Sequence, residues 1–364
     1  MPAMTAPAVA VGYRFRVVVV GCGRISDRHF DALGCHPELA VVAVCDELPD
    51  RARAASERLG VPGFTSYAAM LAEVSADVAV VCTPSGLHPR HGIMAAERGL
   101  HVICEKPMAT RLEEADALVR ACDEAGVHLF VVKQNRLNPG VRLLKRAIEK
   151  GRFGRIYLAN TTVRWQRPQS YYDQAPWRGT WEFDGGAFMN QASHYVDMIQ
   201  WLAGPVDSVL ARTATLGRRI ESEDTGVALL RFRSGALGVI EVTVLAYQRN
   251  LEGSIAVLGE RGTVKIAGTA VNRIEHWDFA EYDDDDREAD ALRTAPNPLS
   301  VYGSGHRPYY DNVVKVLEGE AAPGTDGREG RKSLELILSI YESARTGREV
   351  ALPLRTFGRE GHAV

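Results

Sequence analysis

Phe15-Arg16-Val17-Val18-Val19-Val20-Gly21-Cys22-Gly23-Arg24-Ile25-Ser26 is the stretch whose reading decides the fold. An apolar, β-branched run stops at a glycine pair and gives way at once to a helical pattern, which is the order a phosphate-binding turn requires. Gly21 permits the tight turn, and Gly23 lets the backbone approach a pyrophosphate whose charge is met by the amides and dipole of the following helix. Ser26 stands where a third glycine is common, and its small side chain still lets helix pack closely on strand. Arg24 and Ile25 join the glycines as candidate cofactor contacts. A second apolar run, Ala40 to Cys45, ends in Asp46, 20 residues after Ser26. A carboxylate there accepts both ribose hydroxyls of NAD and repels the 2′-phosphate of NADP, so NAD is the expected cofactor. The competing reading of Asp46 is an N-cap for a helix over Pro49 to Leu59.

Outward from this turn the alternation of strand and helix continues, which implies a parallel sheet. A helix over Tyr67 to Glu73 and a strand over Asp77 to Val81 lead to Thr83-Pro84 and to His88, which either lines the nicotinamide pocket or caps the next helix. The run His101-Val102-Ile103-Cys104-Glu105-Lys106-Pro107 follows. Pro107 cannot extend a sheet, so Lys106 sits at the C-terminal tip of a strand, on the edge where open α/β sheets bind ligands. Lys106 is therefore expected to face cofactor or substrate, and Glu105, Thr83 and Pro84 share its edge. A helix over Leu112 to Ala125 and a strand over Leu129 to Lys133 lead to Gln134, the last candidate cofactor contact. The first domain is expected to span residues 1–133, with 1–12 a loose Ala/Pro-rich tail, and the second to span 134–364.

In the second domain strands are joined by short turns. Gly226 to Phe232 and Ala236 to Leu245 read as a hairpin, as do Ser254 to Leu258 and Thr263 to Ala267. The expected class is thus α/β: a doubly wound Rossmann sheet followed by an α+β domain with a large, open-faced, mainly antiparallel sheet. Asp283 to Asp286 reads as a solvated loop, and the C-terminal helix is expected to pack back near the first domain. Gly185-Gly186-Ala187-Phe188-Met189-Asn190-Gln191-Ala192-Ser193-His194-Tyr195-Val196-Asp197 reads as one helix ended by Gly204-Pro205. Asn190, His194 and Asp197 then share a face, where Asn190 and Asp197 flank and orient the imidazole. A histidine in a polar cluster, in a chain with an unexplained strand-end lysine, is an acid–base candidate.

Composition bounds the alternatives. A chain of 364 residues with 46% hydrophobic residues, 24% charged residues and a formal charge of −3 gives no case for binding nucleic acid or a membrane surface. The six cysteines lie in the first third without Cys-x-x-Cys spacing and read as reduced thiols, with no metal site, in a cytoplasmic protein. No apolar run approaches membrane-spanning length.

Together, Gly21 to Ser26, Asp46, Thr83-Pro84, Glu105-Lys106-Pro107 and the Gly-Gly segment with His194 resemble the glucose-fructose oxidoreductase, inositol dehydrogenase and MocA family over nearly the whole chain. The resemblance implies sugar or cyclitol oxidoreduction served by Lys106 and His194, in a homo-oligomer (dimer or tetramer) built on the open sheet face. Many members carry an aspartate four residues before the histidine, where this chain has Asn190. The Gly-Gly segment, with Arg164-Trp165-Gln166-Arg167-Pro168-Gln169-Ser170-Tyr171-Tyr172, looks like one branch, the UDP-N-acetyl-2-amino-2-deoxyglucuronate dehydrogenases. That branch oxidises the sugar C3 hydroxyl during formation of diacetamido uronic acids for surface polysaccharide. A nucleotide-sugar substrate of this kind carries a pyrophosphate and a carboxylate, which a chain without net positive charge must meet with local donors. Arg136, Arg164, Arg167 and Arg178, with Asn190 and Gln191, are the candidates. The alternatives are another sugar or cyclitol dehydrogenase or ketoreductase of the family, and an NAD-binding sensor without turnover.

Overall fold

The computed structural model describes residues 14–294, 296 and 301–354, so the expected tail at 1–12 lies outside the described residues. The first half runs β1 Phe15–Val20, α1 Ser26–Leu33, β2 Leu39–Cys45, α2 Pro49–Leu59, β3 Gly63–Phe64, α3 Tyr67–Glu73, β4 Val78–Val81, α4 His88–Ala96, β5 His101–Cys104, α5 Leu112–Ala125 and β6 Leu129–Val131. Its six strands form a parallel sheet in the order β3-β2-β1-β4-β5-β6. Val17 to Val20 and Val78 to Val81 are all buried, which is why these strands read as unbroken apolar runs instead of alternating. Strand order reverses between β1 and β4, and that switch point opens a crevice beyond their C-terminal ends.

The second half adds α6 Pro139–Glu149, β7 Ile156–Arg164, α7 Gln169–Tyr172, α8 Ser193–Ala203, β8 Val206–Ala214, β9 Thr225–Phe232, β10 Leu237–Thr243, β11 Glu252–Gly259, β12 Gly262–Ala267, β13 Arg273–Phe279, α9 Asp285–Arg293, α10 His306–Leu317, α11 Gly327–Thr346 and β14 Val350–Ala351. Eight strands form one sheet in the order β13-β12-β11-β7-β10-β9-β8-β14, antiparallel except where β7 meets β10. Alternation sorts the two faces. Ala228, Leu230, Ile240 and Val242 are buried on the face that α8 and α11 cover, whereas Val227, Leu229 and Leu237 of the other face are 44%, 53% and 58% exposed. The open face is therefore mixed, since these exposed apolar side chains share it with Arg164, Glu241, Glu252 and Lys265, which are joined by ion pairs.

The last two helices hold the halves together. His36 of the segment after α1 meets Asp311 of α10 at 2.9 Å, and Arg331 of α11 pairs with Asp116 of α5 at 2.5 Å. Two expectations need correction. The acidic run is only half a loop: Asp283 and Asp284 precede α9, whereas Asp285 and Asp286 open it with Glu288 in the first turn, at the positive end of the helix dipole, and Arg146 and Arg152 pair with Asp285 and Asp286 at 2.8 Å. The helix expected from Gly185 begins only at Ser193. Gly185 has φ of +71°, and Gly186 leaves the room that the buried Glu223 carboxyl fills, so residues 185–186 are irregular and 187–191 form turns before the helix starts.

Candidate active site

At the switch point the glycine turn is forced by both backbone and space. Gly21 has φ of +91°, and a Cβ on it would lie 2.6 Å from the Cys82 carbonyl group. A Cβ on Gly23 would meet nothing within 4 Å, so this turn is open to an approaching phosphate. Asp46 is fixed at the tip of β2, where the Cys22 amide donates to Oδ2 at 2.8 Å and the Leu48 amide to Oδ1 at 2.9 Å. Leu48 occupies the N-cap position of α2, so Asp46 does not cap that helix. Turn, carboxylate and open edge fit NAD.

Behind the edge, two expected cofactor contacts have other work. His88 is buried with Nδ1 at 2.7 Å from the Pro107 carbonyl and Nε2 at 2.7 Å from the Thr83 carbonyl, so it joins two loops behind the cleft and does not line it. Glu105 turns inward to His29, 3.0 Å away, whose other ring nitrogen lies 2.7 Å from the Tyr310 hydroxyl. Burial pushes the Glu105 carboxyl up, but the bond and charge of His29 more than offset it and hold the value at about 2. His306 completes this buried group, and the ligand atoms of the three residues lie within 4.8 Å of one another.

A cleft of about 870 Å³ is lined by Lys106, Gln134, Arg167, Tyr171, Asn190 and His194, among others. Lys106 Nζ donates to the Asn190 carbonyl at 3.0 Å. Burial and the Arg167 charge lower the lysine, while Glu105 and Asp184 pull it back up. His194 lies in the first turn of α8 with both ring nitrogens buried and, among the described residues, without a hydrogen-bond partner. Burial, with Lys106, Lys133, His306 and Arg136 around it, holds its pKa well below the ordinary histidine value, so the ring is a neutral imidazole with a free lone pair. The positive end of α8 acts in the same direction. A neutral imidazole beside an ammonium group can take a proton from a hydroxyl while the lysine steadies the oxygen.

Other expected neighbours are placed elsewhere. Asp197 does not flank His194: Arg136 binds it through Nε at 2.7 Å and Nη2 at 2.8 Å, and Lys133 lies 3.7 Å away. Arg136 is thereby committed to a buried ion pair and lines a separate cavity of about 580 Å³. Arg164 lies on the open sheet face, held by Glu241 at 2.6 Å and Glu252 at 3.0 Å, because its strand position alternates away from the cleft. Arg178 stacks on Tyr171 and Trp177, its Cζ 4.3 and 4.7 Å from the ring centroids, and is not in the cleft lining. Arg24 reaches away from the glycine turn to Gln174, at 3.0 Å. Gln191 lines the cleft. The Asn190 side chain donates to Asp184, so it does not orient the imidazole.

Sequence reasoning missed Asp184, Lys133, Glu223 and Tyr341. Asp184 also accepts from the Gly179 amide at 2.7 Å, and burial raises it to about 6. Glu223 accepts from the Phe188 amide at 2.9 Å and the Tyr341 hydroxyl at 3.0 Å, and burial raises it to about 8. Only the position of Asp184, directly before the glycine pair, was a signal in the sequence. The others come from distant segments.

Comparison with known proteins agrees with this geometry. Residues 15–133 match the Gfo/Idh/MocA model described as "Oxidoreductase family, NAD-binding Rossmann fold", and residues 145–352 match its C-terminal alpha/beta domain. The fold superimposes with a TM-score of 0.90 on the WlbA dehydrogenase from Bordetella pertussis, solved in complex with NADH and UDP-GlcNAcA, with 57% sequence identity and coverage of 94% of this chain and 99% of that one. The WlbA dehydrogenase from Chromobacterium violaceum, with the same two ligands, has 54% identity and a TM-score of 0.90, with coverage of 97% and 100%. A D-apiose dehydrogenase from Paraburkholderia graminis is 28% identical over 362 residues, 93% of this chain and 90% of that protein.

Proposed function

Because this chain belongs to the Gfo/Idh/MocA oxidoreductase family, we propose that it is the NAD-dependent dehydrogenase that oxidises the C3 hydroxyl of UDP-GlcNAcA, that is UDP-N-acetyl-2-amino-2-deoxy-D-glucuronate. The observation that carries this reading is the 57% and 54% identity, over nearly full length, to two dehydrogenases solved with NADH and UDP-GlcNAcA. The cleft supports it, since Lys106 and His194 face one space at the cofactor edge.

Gly21, Gly23 and Asp46 would hold the cofactor, which when bound supplies the hydride acceptor. The C3 hydroxyl loses its proton to His194, whose ring nitrogens carry no competing hydrogen bond. The Lys106 ammonium donates to the same oxygen as negative charge develops there. The cations around His194 make an imidazolium costly, which favours onward release of the proton. Asn190, fixed by Asp184, holds the lysine through its backbone carbonyl.

The enzyme acts in the cytoplasm, in formation of diacetamido uronic acids for surface polysaccharide, as a homo-oligomer joined through the open sheet face. Support for the assembly is the exposure of Leu229 and Leu237, at 53% and 58%, on the open face of the sheet. No helix among the described residues is long and apolar enough to cross a membrane. The test of substrate is NADH absorbance on addition of UDP-GlcNAcA, UDP-GlcNAc, free sugars and inositols. Turnover confined to the UDP-uronate supports the reading, and preference for an inositol or free sugar overturns it. A monomer in light scattering at micromolar concentration refutes the assembly.

A further inference from the structure

Resting on the nucleotide-sugar reading above, we infer that Arg24 and Arg167 form a two-sided clamp for the diphosphate of the substrate. Arg24 would then serve the sugar nucleotide even though it belongs to the glycine turn of the NAD domain.

The geometry runs against the position of Arg24 in sequence. It directly follows Gly23, yet its guanidinium crosses towards the second domain, where Nη2 donates to Gln174 Oε1 at 3.0 Å and Cζ lies 6.0 Å from the Tyr171 ring centroid. Arg167 comes to the same ring, its Cζ 5.6 Å from the Tyr171 centroid and 4.9 Å from that of Trp165. Among the described residues its donors reach neutral oxygens alone, the Gln166 carbonyl at 2.7 Å and Asn250 Oδ1 at 3.2 Å. Among the described residues neither guanidinium has a carboxylate within ion-pair distance. The two carboxylates that share the cleft, Asp27 and Asp31, are held by Arg58 at 2.5 and 2.8 Å.

Arg178 stacks on the same ring at 4.3 Å, so three cations crowd Tyr171 and repel one another, and burial of Arg167 strengthens the effect. Burial and the nearby Arg24 charge indeed push Arg167 below its ordinary value. A diphosphate answers this arrangement, because its non-ester oxygens are spread over two phosphorus centres and planar guanidinium forks bind such oxygens bidentately. NAD also carries a diphosphate. The substrate is the source favoured here, since Tyr171, Trp165 and Arg167 all belong to the second domain and line the cleft with Lys106 and His194.

The test is calorimetric titration of the NADH-loaded enzyme with UDP and with inorganic pyrophosphate, and of the unloaded enzyme with NADH, for wild type, Arg24→Gln and Arg167→Gln. Loss of one charge-assisted contact should weaken UDP binding by roughly 10-fold or more in each variant, with NADH affinity within about 3-fold of wild type. Melting temperatures identify any variant that fails to fold, and Arg24→Lys and Arg167→Lys then replace it, with a smaller loss expected. Weakened NADH binding with unchanged UDP binding in Arg24→Gln would return Arg24 to the cofactor and overturn the clamp. Wild-type enzyme that binds neither UDP nor pyrophosphate overturns it as well. Wild-type enzyme that binds UDP through both arginines but does not oxidise UDP-GlcNAcA leaves the clamp standing and defeats only the proposed substrate.

Discussion

Lys106 Nζ donates to the backbone carbonyl of Asn190 at 3.0 Å, a bond that ties the tip of β5 to the turns before α8. The side chain of Asn190 is in turn held by Asp184, whose carboxyl burial raises to about 6. Above about pH 6 Asp184 is ionised and accepts a charge-assisted bond from the Asn190 side chain, which fixes the carbonyl that holds Lys106; below it the carboxyl is neutral and that hold weakens. Turnover of the wild type should therefore fall as pH drops through about 6, and Asp184→Asn should lack this inflection while binding UDP-GlcNAcA with little change in KM. The pH profile of kcat for both proteins checks this, and an unchanged inflection in the variant contradicts it.

Asp46 is held by two amides at 2.8 and 2.9 Å, which leaves its carboxylate oriented at the ribose end of the turn. NAD should bind more tightly than NADP, and Asp46→Ala should narrow the difference. Titration of both cofactors against intrinsic fluorescence measures it. Equal binding of the two by the wild type would remove Asp46 from this role.

Glu223 offers a prediction about stability. Its value of about 8 in the folded chain lies above the ordinary 4.5, so the folded state holds the proton more tightly than the unfolded state. The stability this contributes is complete below about pH 4.5 and is lost as pH rises through about 8. Glu223→Gln mimics the neutral carboxyl at every pH. The melting temperature of the wild type should therefore decline, relative to Glu223→Gln, between about pH 5 and 8. Parallel curves across that range would show that Glu223 is already ionised in the folded protein.

Much of the first sheet was legible because its signals are local. Val17 to Val20, Gly21 and Asp46 follow one another within a single βαβ pattern, and a buried parallel strand reads as an apolar run. The cleft was only partly legible. Lys106 and His194 were found from a strand end and a polar cluster, and both line the cleft. Arg136 and Arg164 were misplaced because a sequence shows where a cation lies but not which distant carboxylate holds it, and Asp197 and Glu241 hold these two. The turns before α8 were read as helix because helical spacing of Phe188, Ala192 and Tyr195 gave the right core residues. The conflicting fact, that Glu223 fills the space beside Gly186, comes from 37 residues further along the chain.

In the proposed mechanism the neutral His194 takes the hydroxyl proton while Lys106 steadies the oxygen. Loss of an acid–base group typically costs roughly 10²–10⁴ in rate. The most direct measurement is the single-turnover rate of NADH formation from UDP-GlcNAcA by His194→Ala, with NADH affinity measured alongside. A fall of at least about 10² in rate with cofactor binding intact is expected. A rate near that of the wild type would make the histidine structural and assign the proton to Lys106 or water.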